Sequence, residues 1–252
     1  MARTAAIVGL TAAGLVLLIA TMATRRRPDA APPDLHTYFV RWQIQHRAPD
    51  IDPTAPGLLH GFLVVTYRLA LPLARAGVSP NLLTGWGLWL AGWVPVLASG
   101  RTFALVAAAL LVVVSAVTDG VDGAVAALTD RATPAGFVLD SVADRIADGL
   151  MIGALFAVGG APWAGVAAGC GVLALEYTRA RAGNAGIGEV GIVTVGERPT
   201  RVIAVVFCLV GAAARRPSAS AIATGSLVVI ALASTVGLGQ LARWLRANLR
   251  TG

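Results

Sequence analysis

The chain has 252 residues, of which 56% are hydrophobic and 13% charged, and its mean hydropathy is +0.74. Those proportions exclude a soluble globular domain and a disordered chain, and leave an integral membrane protein. The net charge of +7 rests on 20 basic residues, all Arg; they stand mostly between apolar segments, and no basic run is interleaved with aromatics, so they point to membrane orientation and lipid headgroups and away from nucleic acid.

In chain order, Ala5 to Thr24 is uncharged over 20 residues and is followed at once by Arg25, Arg26 and Arg27. A basic run directly behind the apolar stretch favours a retained signal-anchor helix, with its C-terminal end in the cytoplasm, over a cleaved signal peptide. Pro28 to Gly57 is rich in Pro, Asp and His and reads as a linker with one surface helix over Leu35 to Arg47. Leu58 to Ala76 mixes apolar residues with Tyr67, Arg68, Pro72 and Arg75, which suits an amphipathic helix at the interface. The expected organisation is an anchor over residues 1–27, a linker and juxtamembrane helix over 28–80, and a membrane domain over 81–252.

Apolar length and breakers give six core spans in an all-α bundle: Leu82 to Ser99, Thr102 to Leu128, Gly136 to Val158, Pro162 to Thr178, Arg201 to Ala214 and Ser218 to Gln240. Trp86, Trp89 and Trp93 read as core or interface anchors. Cys170 and Cys208 sit in apolar stretches as small core residues. His36, His46 and His60 share no metal-ligand spacing, which argues against a histidine metal site or triad. With Arg25 to Arg27 cytoplasmic, so are Arg68, Arg75, Arg131, Arg179, Arg181, Arg198, Arg201, Arg243, Arg246 and Arg250, while Arg3, Arg101, Arg215 and Arg216 fall outside.

Within this apolar chain Asp119, Asp122, Asp140 and Asp144 require a reason, because an Asp at the centre of a membrane helix costs about 2.5–3.5 kcal/mol. Asp119 and Asp122 are three apart, and Asp140 and Asp144 four apart, so each pair lies on one helix face. Thr129 to Gly136 has the composition of a turn, and the resulting hairpin places the pairs opposite each other. Oxygen ligands alone favour a hard cation, Mg²⁺ or Mn²⁺, and four carboxylates suffice for two ions. Solvated acids at a helix end are the plain alternative, and a carboxylate-lined cation transporter is another functional reading of the same acids.

The stretch Asp119-x-x-Asp122-Gly123-x-x-Ala126, then Gly136-x-x-x-Asp140-x-x-x-Asp144, resembles the signature of the CDP-alcohol phosphatidyltransferase family. The approach Gly77-Val78-Ser79-Pro80-Asn81-x-x-Thr84 is similar to the family's entry into its first core helix. The resemblance implies an enzyme that attacks the lipid-bearing phosphorus of a CDP-linked lipid with an acceptor hydroxyl and releases CMP, on the cytoplasmic side of a bacterial-type plasma membrane. It implies Asp119, Asp122 and Asp140 as metal ligands, Asp144 as general base that also touches metal, and Gly123, Ala126 and Gly136 as the close approach for the nucleotide. Ordinary helix packing explains each of those three small residues equally well when taken singly.

Tyr177 to Ala182 and Glu197 to Arg201 are similar to segments of family members that use phosphorylated polyols, the phosphatidylglycerophosphate and phosphatidylinositol phosphate synthases. Arg179, Arg181, Arg198 and Arg201 are therefore the expected acceptor-phosphate residues, since guanidinium forks fit phosphate oxygens; lipid headgroup contact is the alternative for each. Asp148 and Arg145 are expected to form a local ion pair. A homodimer is compatible with this reading. One position departs from the family: Ala127 stands where the signature usually carries Arg, which leaves a catalytically impaired relative as a third possibility. Among replacements, Arg131 at the turn is expected to swing towards the pocket ahead of Arg145.

Overall fold

The computed structural model describes residues 2–26, 31–45, 51–184 and 193–248. Arg27, His46, Arg47 and Arg250, used above for orientation and element ends, lie outside the described residues. Regular structure among the described residues is helical throughout: α1 Ala2–Ala23, α2 Leu35–Gln45, α3 Leu58–Arg75, α4 Pro80–Ala98, α5 Thr102–Thr129, α6 Pro134–Val158, α7 Pro162–Asn184, α8 Arg198–Ala214 and α9 Ala219–Asn248, with one 3₁₀ turn at Arg216–Ser218. The all-α class expected from the sequence is what the chain adopts.

Six helices, α4 to α9, stand at the six expected core positions. By length and apolarity, Ala2–Ala23, Thr102–Thr129 and Arg216–Ala247 suffice to cross a bilayer, and α3 with α4 forms a further pair bent by 118°. Charge or length explains why α6, α7 and α8 fall short. α6 carries Asp140, Asp144, Arg145 and Asp148, α7 carries Glu176, Arg179 and Arg181, and α8 has only 17 residues. α7 and α9 also run past their expected ends, so Arg179, Arg181, Arg243 and Arg246 are helical.

The chain divides into two compact units. The first comprises Met1–Leu90 and Val114–Asp144. Here the tryptophans tie α1 to α4: Trp89 Nε1 donates to Leu10 O at 2.7 Å, and Trp86 Nε1 to Thr21 Oγ1 at 3.0 Å. Gly14 is small because the Trp89 indole occupies its side-chain space, 2.9 Å from where a Cβ would stand. α2 starts where Asp34 Oδ1 accepts the Thr37 N–H at 2.9 Å, an N-cap contact. Its Tyr38 and Phe39 are buried in an apolar cluster with Leu63, Ala70 and Ala74 of α3 and Val121, Val125 and Leu128 of α5.

α5 ends through a left-handed residue, Asp130 at φ 56°. The Arg131 N–H then bonds Ala126 O at 3.0 Å, and Arg41 Nη1 bonds Ala127 O at 2.7 Å, which satisfies carbonyls of the last turn. Pro134 opens α6, where its missing N–H is not needed. The turn occupies residues 130–133, inside the expected Thr129 to Gly136.

The second unit comprises Ala91–Val113 and Arg145–Gly252. α7 packs closely on α9, helped by Gly171, whose Cβ would stand 3.1 Å from Ser234 Cβ. Gly159, at φ 112°, makes the turn into α7, and the Ala161 N–H there is taken by Thr224 Oγ1 at 3.0 Å. Cys170 is exposed and Cys208 buried, each inside a helix and neither in a disulfide.

Candidate active site

The helical hairpin of α5 and α6 brings three of the four aspartates together. Asp119, Asp140 and Asp144 each offer a carboxylate oxygen, and those oxygens lie within 4.8 Å of one another on half-buried side chains. Two ionised carboxylates at that separation repel by about 3.5 kcal/mol at an effective dielectric constant of about 20. The donors are oxygen only, and they converge from two helices. Such a set fits a hard divalent cation, which would replace mutual repulsion by attraction.

Asp122, the expected fourth ligand, lies beside the trio and is held by hydrogen bonds. It is 5% exposed. Thr84 Oγ1 donates to its Oδ2 at 2.5 Å and the Gly123 N–H to its Oδ1 at 2.6 Å. The charges of Asp140 and Asp119 still act on it, so it borders the trio. Thr84 is a site residue whose role the sequence reading missed. The signal available was its place four residues after Pro80, in the segment leading into α4.

The three small residues have separate surroundings. At Gly123, among the described residues, an added Cβ would come within 4 Å only of Gln45 Nε2, at 3.9 Å. At Gly136 a Cβ would lie 2.9 Å from Asn81 Oδ1 and 3.1 Å from Thr133 Oγ1, so close packing requires glycine there. Ala126 is buried at 7% exposure, and its carbonyl takes the Arg131 N–H. Gly120, between Asp119 and Val121, is small because Phe62 of α3 stands 2.7 Å from its missing Cβ.

Arg131 does not turn its guanidinium to replace an arginine at Ala127; its Nη2 donates to Arg26 O at 2.9 Å. The residue found at Ala127 is Arg41 of α2.

In the second unit the four expected acceptor arginines stand at the end of α7 and the start of α8. Arg201 is 4% exposed and bonds two acids and a backbone carbonyl: Nε to Asp148 Oδ1 at 3.2 Å, Nη1 to Glu176 Oε1 at 3.0 Å, and Nη1 to Gly196 O at 2.8 Å. Arg145 joins the same group, 2.9 Å from Glu176 and 3.4 Å from Asp148, which extends the expected local ion pair to a network of four. Arg179 is paired with Glu197, which also accepts the Thr194 N–H at 3.0 Å. Arg181 is exposed and Arg198 half-buried. Glu176 and Glu197 were not singled out in the sequence.

These features define a class: a helical integral membrane protein with a carboxylate cluster whose donors fit a hard dication, built on a helix hairpin. Residues 77–237 match the family described as CDP-alcohol phosphatidyltransferase, and the chain belongs to that family. It is 35% identical over 142 residues to an archaetidylinositol phosphate synthase of Aeropyrum pernix, covering 55% of this chain and 63% of that protein. The corresponding synthase of Pyrococcus horikoshii is 31% identical over 140 residues, covering 54% of this chain and 71% of that one. The chain thus spans a little under two thirds of the Aeropyrum relative's length. Among solved structures it is similar to the phosphatidylinositol phosphate synthase of Mycobacterium tuberculosis. The complex with manganese and citrate has a TM-score of 0.56 at 26% identity, covering 71% of this chain and 88% of that one. The same enzyme with CDP-DAG bound has a TM-score of 0.55 at 25% identity, covering 72% and 94%.

Proposed function

We propose that this protein transfers the phosphatidyl group of CDP-diacylglycerol to a phosphorylated polyol and releases CMP, in phospholipid synthesis on the cytoplasmic side of a bacterial-type plasma membrane. The observation that carries the reading is the convergence of Asp119, Asp140 and Asp144, all at signature positions, on one hard-cation site. An inositol phosphate is the acceptor we favour, because the Mycobacterium structures and the archaeal relatives are named phosphatidylinositol phosphate and archaetidylinositol phosphate synthases.

Two ions, Mg²⁺ or Mn²⁺, held by Asp119, Asp140 and Asp144 with Asp122 at the border, would neutralise the diphosphate and the leaving CMP. Asp144 accepts the proton of the acceptor hydroxyl as its oxygen forms a new bond to the lipid-bearing phosphorus. The bond from that phosphorus to the bridging oxygen of the diphosphate breaks, and CMP leaves with the electron pair. Thr84 holds Asp122 in orientation by the 2.5 Å hydrogen bond. Gly123 leaves room for the nucleotide, with Ala126 and Gly136 as the other small positions of that wall. Arg179, Arg181, Arg198 and Arg201 bind the acceptor phosphate; Arg181 is the most exposed of them, and Arg201 is oriented by Asp148 and Glu176.

The test is purified protein with CDP-diacylglycerol and Mg²⁺, offered glycerol phosphate, inositol phosphate, inositol and serine in turn. CMP release with one phosphorylated acceptor is expected. Release with none sinks the enzyme reading.

A further inference from the structure

α2 lies outside the stretch that matches the family, residues 77–237, yet two of its polar residues reach α5 beside the metal-facing aspartates. Arg41 Nη1 donates to Ala127 O at 2.7 Å. Gln45 Nε2 is the nearest atom to the missing Cβ of Gly123, at 3.9 Å. Arg41 and Gln45 are four apart on α2, as Gly123 and Ala127 are on α5, so one ridge of α2 runs antiparallel along the small-residue side of α5. Gly123 directly follows Asp122 and lies four residues after Asp119, on the same face.

α2 is held in that position by apolar neighbours on the same face, since Tyr38, Arg41 and Gln45 follow one another at helical spacing. Tyr38 and Phe39 share an apolar cluster with Val121, Val125 and Leu128 of α5, and the Tyr38 hydroxyl is 3.2 Å from Thr66 Oγ1 of α3. The guanidinium is thereby placed at Ala127 and the amide near Gly123. Arg41 also serves as a cap, since a cation is favoured at the last carbonyls of a helix. Capping uses one of the five N–H donors of an arginine and leaves the placement of Gln45 at Gly123 unexplained.

We propose that Arg41 and Gln45 form a wall of the nucleotide site, Arg41 meeting the phosphate of the CMP half of the donor lipid and Gln45 its polar edge near Gly123. This rests on the phosphatidyl-transfer reading above. The test is CMP and cytidine binding to the full chain in detergent with Mg²⁺, by calorimetry, together with turnover of CDP-diacylglycerol. Arg41→Ala should weaken CMP about 10- to 150-fold, the worth of a charged hydrogen bond, with Arg41→Lys intermediate and cytidine little changed. Gln45→Ala should weaken CMP by about 2- to 10-fold.

Unchanged CMP affinity in Arg41→Ala overturns the proposal. So does an equal loss for CMP and cytidine, or a lysine variant no better than alanine, because either marks a cap and nothing more. If Arg41→Ala fails to fold, Gln45→Glu decides: a carboxylate at Gly123 should lower CMP affinity by more than about tenfold, and no change overturns the wall. A parent that binds CMP through Arg41 and transfers nothing sinks the transferase reading alone. A parent that turns over while Arg41→Ala binds CMP as the parent does sinks the wall alone.

Discussion

Asp140→Asn tests the carboxylate trio in both directions. Asp140 takes part in two of the three oxygen pairs lying within 4.8 Å, each repelling by about 3.5 kcal/mol when ionised at an effective dielectric constant of about 20. The neutral amide removes Asp140 from that repulsion. The metal-free variant should therefore melt at or above the parent. Bound cation reverses the order. At about 100 times its Kd, Mg²⁺ should stabilise the parent by about 2.7 kcal/mol, or roughly 5–10 °C for a chain of this size. The variant, short of one anionic ligand, should keep less than half of that shift. Thermal unfolding in detergent with EDTA and with a magnesium series reads both effects. A metal-free variant clearly less stable than the parent, or one that keeps the whole magnesium shift, refutes the reasoning.

Thr84→Val keeps the side chain's shape and removes the hydrogen bond to buried Asp122. It should cost about 1.5–3 kcal/mol in a thermal or denaturant melt. Asp144→Asn should lower turnover by about 10²–10⁴ with CMP binding retained, measured by CMP release and calorimetry; a loss below about tenfold contradicts its role as base. Arg201→Ala leaves Asp148 and Glu176 without their buried partner and should cost about 3–5 kcal/mol, read by melting. Arg181→Ala should raise the KM of the acceptor by about 10- to 150-fold with that of the CDP-lipid unchanged, and equal effects on both would argue for a structural arginine.

The trio was legible because two physical rules meet in it. Helix periodicity puts Asp140 over Asp144, and the cost of burying an acid in an apolar helix demands a partner. The turn at residues 130–133 was legible from its composition. Thr84 and Arg41 were not, because their meaning lies in contacts to Asp122 and Ala127 that are 38 and 86 residues away in sequence. No local pattern encodes such a pairing. Arg131 failed as the replacement at Ala127 for a related reason: the αL turn at Asp130 directs the chain so that its guanidinium meets the Arg26 carbonyl. The arginines at the end of α7 and the start of α8 read as phosphate or headgroup contacts, whereas Glu176 and Glu197 draw Arg201 and Arg179 into ion pairs.

The most direct test of the account is the stoichiometry of transfer. Protein, CDP-diacylglycerol, Mg²⁺ and inositol phosphate are incubated together, and CMP and product lipid are quantified by mass spectrometry. One CMP should appear for each new lipid that carries the acceptor, with both abolished by EDTA and restored by excess Mg²⁺. CMP formed without an acceptor-bearing lipid, or no CMP with any phosphorylated polyol, would contradict phosphatidyl transfer by this chain.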